Sequence, residues 1–232
     1  MIGSTSLVAA LLGVGLGARH ALEPDHLAAV SVLTADGPSA RRGMLVGALW
    51  GVGHALALLA CGLVVACAAA EIPVRLADAF EIAVAAMLVG LGARAVVRAV
   101  REGRLGSPTS HHHRDGAAHV HAGPAAHVHV ARRVLAVRPL IVGAIHGLAG
   151  SGALTALVIS RLPTTAGRLF FMLLFGIGSI AAMTAISGLA GWPLARLSRR
   201  RAASRMLLGV TGAASIALGL LWALLPVRRM FG

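Results

Sequence analysis

Six apolar stretches, each long enough to cross a hydrocarbon layer, dominate the sequence at about residues 5–29, 43–70, 79–100, 138–160, 167–192 and 204–225. A helix rises about 1.5 Å per residue, so roughly 20 apolar residues span the hydrocarbon core. Lipid offers no hydrogen-bond partners, so such runs must satisfy their backbone internally, as helices. With 57% hydrophobic and only 12% charged residues, the chain is too apolar for a water-soluble domain. The expected fold class is all-α: a polytopic membrane protein of about six transmembrane helices. The 29 glycines suit close helix packing in lipid, and Trp50, Trp192 and Trp222 read as interfacial anchors.

The first span lacks a basic leader region and carries Arg19 and acidic residues where a cleavage site would need small ones, so it is expected to stay in the mature protein. Cys61 and Cys67 lie six residues apart on one span, about 9 Å along a helix axis, which rules out a disulfide between them and leaves buried thiols. Net charge is +13, and all 21 basic residues are arginine. They sort by loop. Arg41, Arg42, a dense set from Arg94 to Arg138, and Arg196, Arg199, Arg200, Arg201 and Arg205 share one side of a six-helix arrangement. Arg75, Arg161, Arg168, Arg228 and Arg229 fall on the other. The excess charge therefore reads as topology and contact with membrane lipid headgroups, not nucleic acid binding. The dense side is expected to be cytoplasmic, with both termini outside the cytoplasmic membrane of a bacterium.

The chain repeats one plan twice. Gly17-Ala-Arg-His-Ala-Leu22 aligns with Gly143-Ala-Ile-His-Gly-Leu148, and Leu49-Trp-Gly-Val-Gly-His54 with Leu174-Phe-Gly-Ile-Gly-Ser179, at offsets of 126 and 125. A weaker match relates Met87–Leu91 to Ile216–Leu220, offset 129. Near-constant offsets indicate internal duplication. Three spans per copy is an odd number, so the copies are inverted, residues 1–100 and 136–232 forming the two repeats. Membrane transporters commonly use this symmetry, with the substrate site on interrupted helices at the repeat interface. Residues 101–135 join the copies and hold His111, His112, His113, His119, His121, His127 and His129 among Gly, Ala, Pro and Arg. Such a segment reads as a flexible cytoplasmic loop able to bind divalent metals as an auxiliary site.

Ionisable residues inside a span are costly, about 2.5–3.5 kcal/mol each for Asp or Arg near a helix centre, and therefore signal function. His20-Ala-Leu-Glu-Pro-Asp-His26 concentrates them. On a straight helix His20 and His26 lie about 9 Å apart along the axis and roughly 120° around it, too far to grip one ion. Pro24 has no N–H for the His20 carbonyl, so the helix is expected to break around Leu22 to Asp25 and bring His20, Asp25 and His26 toward a common centre. Gly150 and Gly152 supply the matching weak point in the second copy. Glu23 shares a face with His20, His54 follows Trp50-Gly-Val-Gly53, and His146 is the repeat partner of His20. Neutral imidazoles with one or two carboxylates suit a divalent first-row ion, whereas magnesium or calcium would call for an oxygen cage. Enzyme signatures HExxH and GxSxG are missing from the sequence.

These residues resemble the nickel/cobalt transporter family, whose signature is His-x4-Asp-His in a membrane helix. The matching positions are Arg19, His20, Asp25, His26, Ala28 and Ala29, followed by Gly53-His54 in the next span. His146-Gly-Leu-Ala-Gly-Ser-Gly-Ala153 is similar to the short branch that includes urease-accessory-type membrane proteins. Two features depart from the longer members: Glu23-Pro24 replaces Asp-Ala, and six spans replace eight. The resemblance implies Ni2+ or Co2+ as transported substrate, with His20, Asp25, His26 and His54 as metal-site residues and Glu23 and His146 as additional candidates. Nickel-enzyme maturation proteins are the implied partners. An inside-negative potential favours entry of a divalent cation by about 4.6 kcal/mol per 100 mV, twice the single-charge value. That favours uptake without ATP, and the chain has no phosphate-binding loop of the GxxxxGK[ST] type. The alternatives are proton-coupled efflux, for which the His-rich loop argues, and a membrane metallochaperone that does not itself translocate ions.

Overall fold

A computed structural model describes residues 4–35, 39–68, 73–104, 109–112, 118–121, 132–148, 164–197 and 201–231. Seven helices make up nearly all of this: α1 (Ser4–His20), α2 (Pro24–Ala35), α3 (Ala40–Ala68), α4 (Val74–Arg104), α5 (Arg132–Leu148), α6 (Thr165–Leu197) and α7 (Arg201–Phe231). Four of them are long and apolar enough to cross a membrane: within α3, Ala40–Val64; within α4, Val74–Glu102; all of α6; and within α7, Ala202–Phe231. The first expected span is not one helix but two, α1 and α2, and it runs on to Ala35, beyond the anticipated end at residue 29. The described part of the fourth span is α5, whose apolar portion is Val137–Leu148. Leu11, Leu45, Leu189, Met206 and Leu225 stand more than half exposed. In water such a surface would aggregate, and lipid is the solvent that accommodates it.

The joining segment is shorter than residues 101–135, because α4 continues to Arg104 and α5 starts at Arg132. Within it Thr109–His112 (β1) pairs antiparallel with Ala118–His121 (β2), Thr109 opposite His121 and His112 opposite Ala118.

Helix starts repeat as the sequence does. Ser39 caps α3, its Oγ accepting from the Arg42 amide at 3.2 Å, and Thr164 caps α6, its Oγ1 accepting from the Gly167 amide at 3.1 Å. Such hydroxyls satisfy amides that a first helical turn leaves unpaired. The two caps are 125 residues apart, the offset of the second repeat match.

Packing is also reciprocal. The helix pairs with the most extensive contact are α3 with α6, α4 with α7, α3 with α5, and α1 with α6. Exchanging the copies maps α1·α6 onto α5·α3 and returns α3·α6 and α4·α7 to themselves. Individual glycines obey the same exchange. A Cβ on Gly17 would strike the Phe175 carbonyl, and one on Gly143 would strike the Trp50 carbonyl. A Cβ on Gly53 would strike Leu140 O, and one on Gly178 would strike Val14 O. Gly17 and Gly143, Phe175 and Trp50, Gly53 and Gly178, and Leu140 and Val14 are all repeat partners. At these four crossings the backbones touch because hydrogen is the largest side chain that fits.

Candidate metal centre

The chain unwinds where His20 meets Pro24. Leu22 N donates to Arg19 O at 3.0 Å and Glu23 N to His20 O at 3.0 Å, tightening the end of α1 into three-residue turns. Pro24 then opens α2, a position where its missing N–H costs nothing. The break thus spans residues 21–23, slightly before the expected Leu22 to Asp25. Glu23 N fills the role on the His20 carbonyl that Pro24 cannot.

That turn folds the motif back on itself. The His20 and His26 rings, which a straight helix would separate, lie 4.3 Å apart between centroids. His54 from α3 completes a triangle, 5.1 Å from His20 and 5.3 Å from His26. One ligand atom from each of His20, His26 and His54 lies within 4.8 Å of the others, and Asp25, His26 and His146 form a second such group sharing His26. His146, from the last turn of α5, stands 4.1 Å from His26. All five residues are buried, between 1% and 7% exposed.

Asp25 organises two of the rings. Its Oδ1 accepts from the His26 amide at 2.9 Å and lies 3.0 Å from His26 Nδ1, while Oδ2 lies 2.8 Å from His146 Nε2. An ionised carboxylate only accepts, so both imidazoles present N–H to it. Their remaining nitrogens, His26 Nε2 and His146 Nδ1, then carry lone pairs. Those two atoms, together with His20 Nε2 and both nitrogens of His54, have no hydrogen-bond partner among the described residues. Glu23 Oε2 lies 3.0 Å from His20 Nδ1 but out of line for a hydrogen bond. A buried polar atom left unpaired costs about 1–3 kcal/mol. Several such nitrogens on rings packed this closely form a deficit that a divalent cation relieves by accepting the lone pairs. First-row ions bind imidazole nitrogen at about 2.0–2.1 Å, which places ligand atoms roughly 3–4 Å apart, so modest ring rotations suffice.

Aromatic walls flank the rings in repeat-related fashion. Phe175 lies 5.4 Å from His20, and Trp50 lies 5.7 Å from His146 and 5.4 Å from His26. Trp50 is fully buried, so it is a wall of this cluster and not an interfacial anchor. Trp192 is 55% exposed with the Arg196 guanidinium 4.0 Å above its ring, the amphipathic pairing expected at an interface. Ser179, repeat partner of His54, donates to Gly17 O at 3.0 Å, so the second copy keeps the packing position without an imidazole there.

A cavity of about 590 Å³ reaches the cluster. His20, Asp25, His26 and His146 line one part of it, Glu23, Glu81 and Val84 another, and Leu221, Trp222, Leu224, Leu225, Arg228 and Arg229 from the last turns of α7 the rest.

The structure therefore brings together His20, Asp25, His26, His54 and His146. Glu23 is exposed at the cavity wall. Gly150 and Gly152, the expected break in the second copy, lie outside the described residues, as do His113, His127 and His129. His111, His112, His119 and His121 belong to the β1–β2 hairpin, beyond the Arg104 end of α4, whereas Glu81 lies near that helix's beginning. Sequence reasoning gave Trp50, Phe175, Glu81 and Arg229 no part in this site, Trp50 reading as an interfacial anchor and Arg229 as a topology marker. A signal existed for the first two, an aromatic preceding Gly-x-Gly in both copies.

Comparison with known proteins agrees with the resemblance. A family model described as a high-affinity nickel-transport protein (NicO) matches residues 6–191, from α1 through most of α6. The urease accessory protein UreH of Bacillus sp. (strain TB-90) is 30% identical over 209 residues, 90% of this chain and 87% of that one. No solved structure matches. The matched stretch contains every residue of the buried cluster, and the chain belongs to the high-affinity nickel-transport (NicO) family of membrane proteins, for which Ni2+ is cargo and not a prosthetic group.

Proposed function

We propose that the protein carries Ni2+, and Co2+ as a second cargo, across the membrane through the buried cluster at the α1–α2 break. The observation that carries this reading is the set of unpartnered nitrogens on the closely packed, buried rings of His20, His26, His54 and His146. Imidazole nitrogens select borderline divalent ions over Mg2+ and Ca2+. Asp25 acts on them from behind. Because both its oxygens face histidine nitrogens, it orients His26 and His146 and fixes their tautomers, as carboxylates commonly do behind metal-binding imidazoles. Its negative charge also compensates that of the ion in a medium of low dielectric.

The direction we infer is inward. The cavity is walled by the beginning of α4 and the end of α7, the end of the bundle that carries few arginines. By the positive-inside rule that end is external, and the membrane potential then pulls a divalent cation from it toward the cytoplasm. Glycine-tight crossings between the copies support alternating access by movement of one repeat against the other around a fixed site.

Nickel delivery to an enzyme assembly is the second reading, favoured by the relative described as a urease accessory protein. Radiolabelled nickel flux into proteoliposomes under an inside-negative potential tests the first. Wild type is expected to accumulate nickel, and His20→Ala and His26→Ala to lose that flux. Nickel binding without flux in either direction would overturn transport in favour of delivery, and normal flux in both variants would overturn the site.

A further inference from the structure

Arg229, in the last turn of α7, reaches across to the beginning of α4. Its Nη2 lies 2.6 Å from Asp78 Oδ1 and 3.0 Å from Glu81 Oε2. The two carboxylates sit three residues apart on one helix face. They differ in setting: the Asp78 side chain is 3% exposed, Glu81 is 36% exposed and Arg229 is 50% exposed. An exposed ion pair is worth about 0–1 kcal/mol, but a carboxylate as buried as Asp78 needs its partner. Asp78 is thus the anchor that holds the guanidinium, and Glu81 is the arm that extends toward the cavity.

Glu81 and Arg229 line the same cavity as His20, which is 5% exposed and has an unpartnered Nε2. A positive charge tethered to the protein therefore stands in the cavity that reaches the cluster. A cation in that cavity meets this guanidinium, and Glu81, one of the two glutamates that line the cavity, is already engaged by it.

We propose that Arg229 is a tethered-cation gate on the access route, and that Glu81 is the outer docking carboxylate for the incoming divalent ion, exposed when the guanidinium swings aside. This rests on the metal-site reading above and adds to it a residue that sets how readily cations enter. Asp78 returns the guanidinium to its place. A divalent ion displaces Arg229 from Glu81 more readily than a monovalent one, so the same device favours double charge.

Nickel association rates test the gate without regard to transport direction. Trp50 lies 5.4 Å from His26 and is a built-in reporter, since bound Ni2+ quenches a neighbouring indole. Stopped-flow quenching is to be followed in the detergent-solubilised full chain, with Trp192 and Trp222 changed to Phe and the seven histidines of residues 111–129 changed to Ser. Focused charge in a cleft changes on-rates by roughly tenfold or more. Arg229→Gln is expected to raise the nickel association rate by about tenfold, and Glu81→Gln to lower it several-fold by the same logic. Arg229→Lys should stay within about twofold of wild type, because the charge is kept. Should Arg229→Gln fail to fold with Asp78 unpaired, the double variant Asp78→Asn/Arg229→Gln removes that buried charge while leaving Glu81 free, and is expected to show the same acceleration. A mere strut between α4 and α7 would leave both rates unchanged or shift both the same way. Either outcome overturns the gate while wild type still binds nickel. Absence of nickel-dependent quenching in wild type would instead overturn the metal site itself, and the gate with it.

Discussion

Replacing Asp25 by Asn removes a charge, keeps the shape and tests how the cluster is organised. In wild type one carboxylate oxygen receives the His26 amide and ring, and the other faces His146 Nε2 at 2.8 Å. An amide has one oxygen and one NH2. If the Asn oxygen keeps the His26 contacts, its NH2 faces His146 Nε2, which must then accept. The His146 proton moves to Nδ1, the atom that carried the unpartnered lone pair, and one candidate ligand is lost. Orienting groups of this kind are worth about 10–100-fold in metal affinity, or roughly 1.4–2.7 kcal/mol. The assay is equilibrium nickel titration of the purified chain with the histidines of residues 111–129 changed to Ser. Asp25→Asn is expected to weaken binding by that factor. Combined with His146→Ala it should cost less than the sum of the two single changes, because the ligand it disables is already gone. Binding by Asp25→Asn within about twofold of wild type, or strict additivity in the double variant, refutes the orienting role.

Two further outcomes are expected. Gly143→Ala places a Cβ against the Trp50 carbonyl and 2.8 Å from its Cδ1, so it should destabilise the fold by about 1–3 kcal/mol in thermal unfolding, whereas Gly90→Ala, which meets nothing within 4 Å, should be neutral or stabilising. Deleting residues 107–131 should leave nickel flux in place and alter only its concentration dependence; complete loss of flux would support delivery through the His-rich segment.

Much of this organisation was legible in the sequence because it rests on strong local signals. Pro24 cannot donate to His20 O, and the break follows within a residue or two. The duplicated Gly-x-x-His and aromatic-Gly-x-Gly elements marked positions of tight helix crossing, where glycine is demanded at the contact, but not which helices meet there. Tertiary partnerships were not legible. That Asp25 would face His146, 121 residues away, depends on how α5 docks on α3, which no spacing within the motif encodes. Trp50 carries the same chemistry at an interface or in a core, so composition assigned it to the membrane surface while the fold buried it beside His26. The Arg229 contact joins residues 148 and 151 positions apart, and the loop-by-loop sorting of arginines hid it by treating Arg229 as a topology marker only.

X-ray absorption at the nickel K-edge tests most directly whether the buried cluster is the nickel site. With one equivalent of Ni2+ bound to the chain lacking residues 107–131, a shell of nitrogen and oxygen ligands with outer-shell scattering from three or four imidazoles is expected. That imidazole signal should collapse in His26→Ala, since His26 belongs to both ligand groups. An imidazole count unchanged in His26→Ala, or a sulfur ligand in the shell, would contradict the assignment.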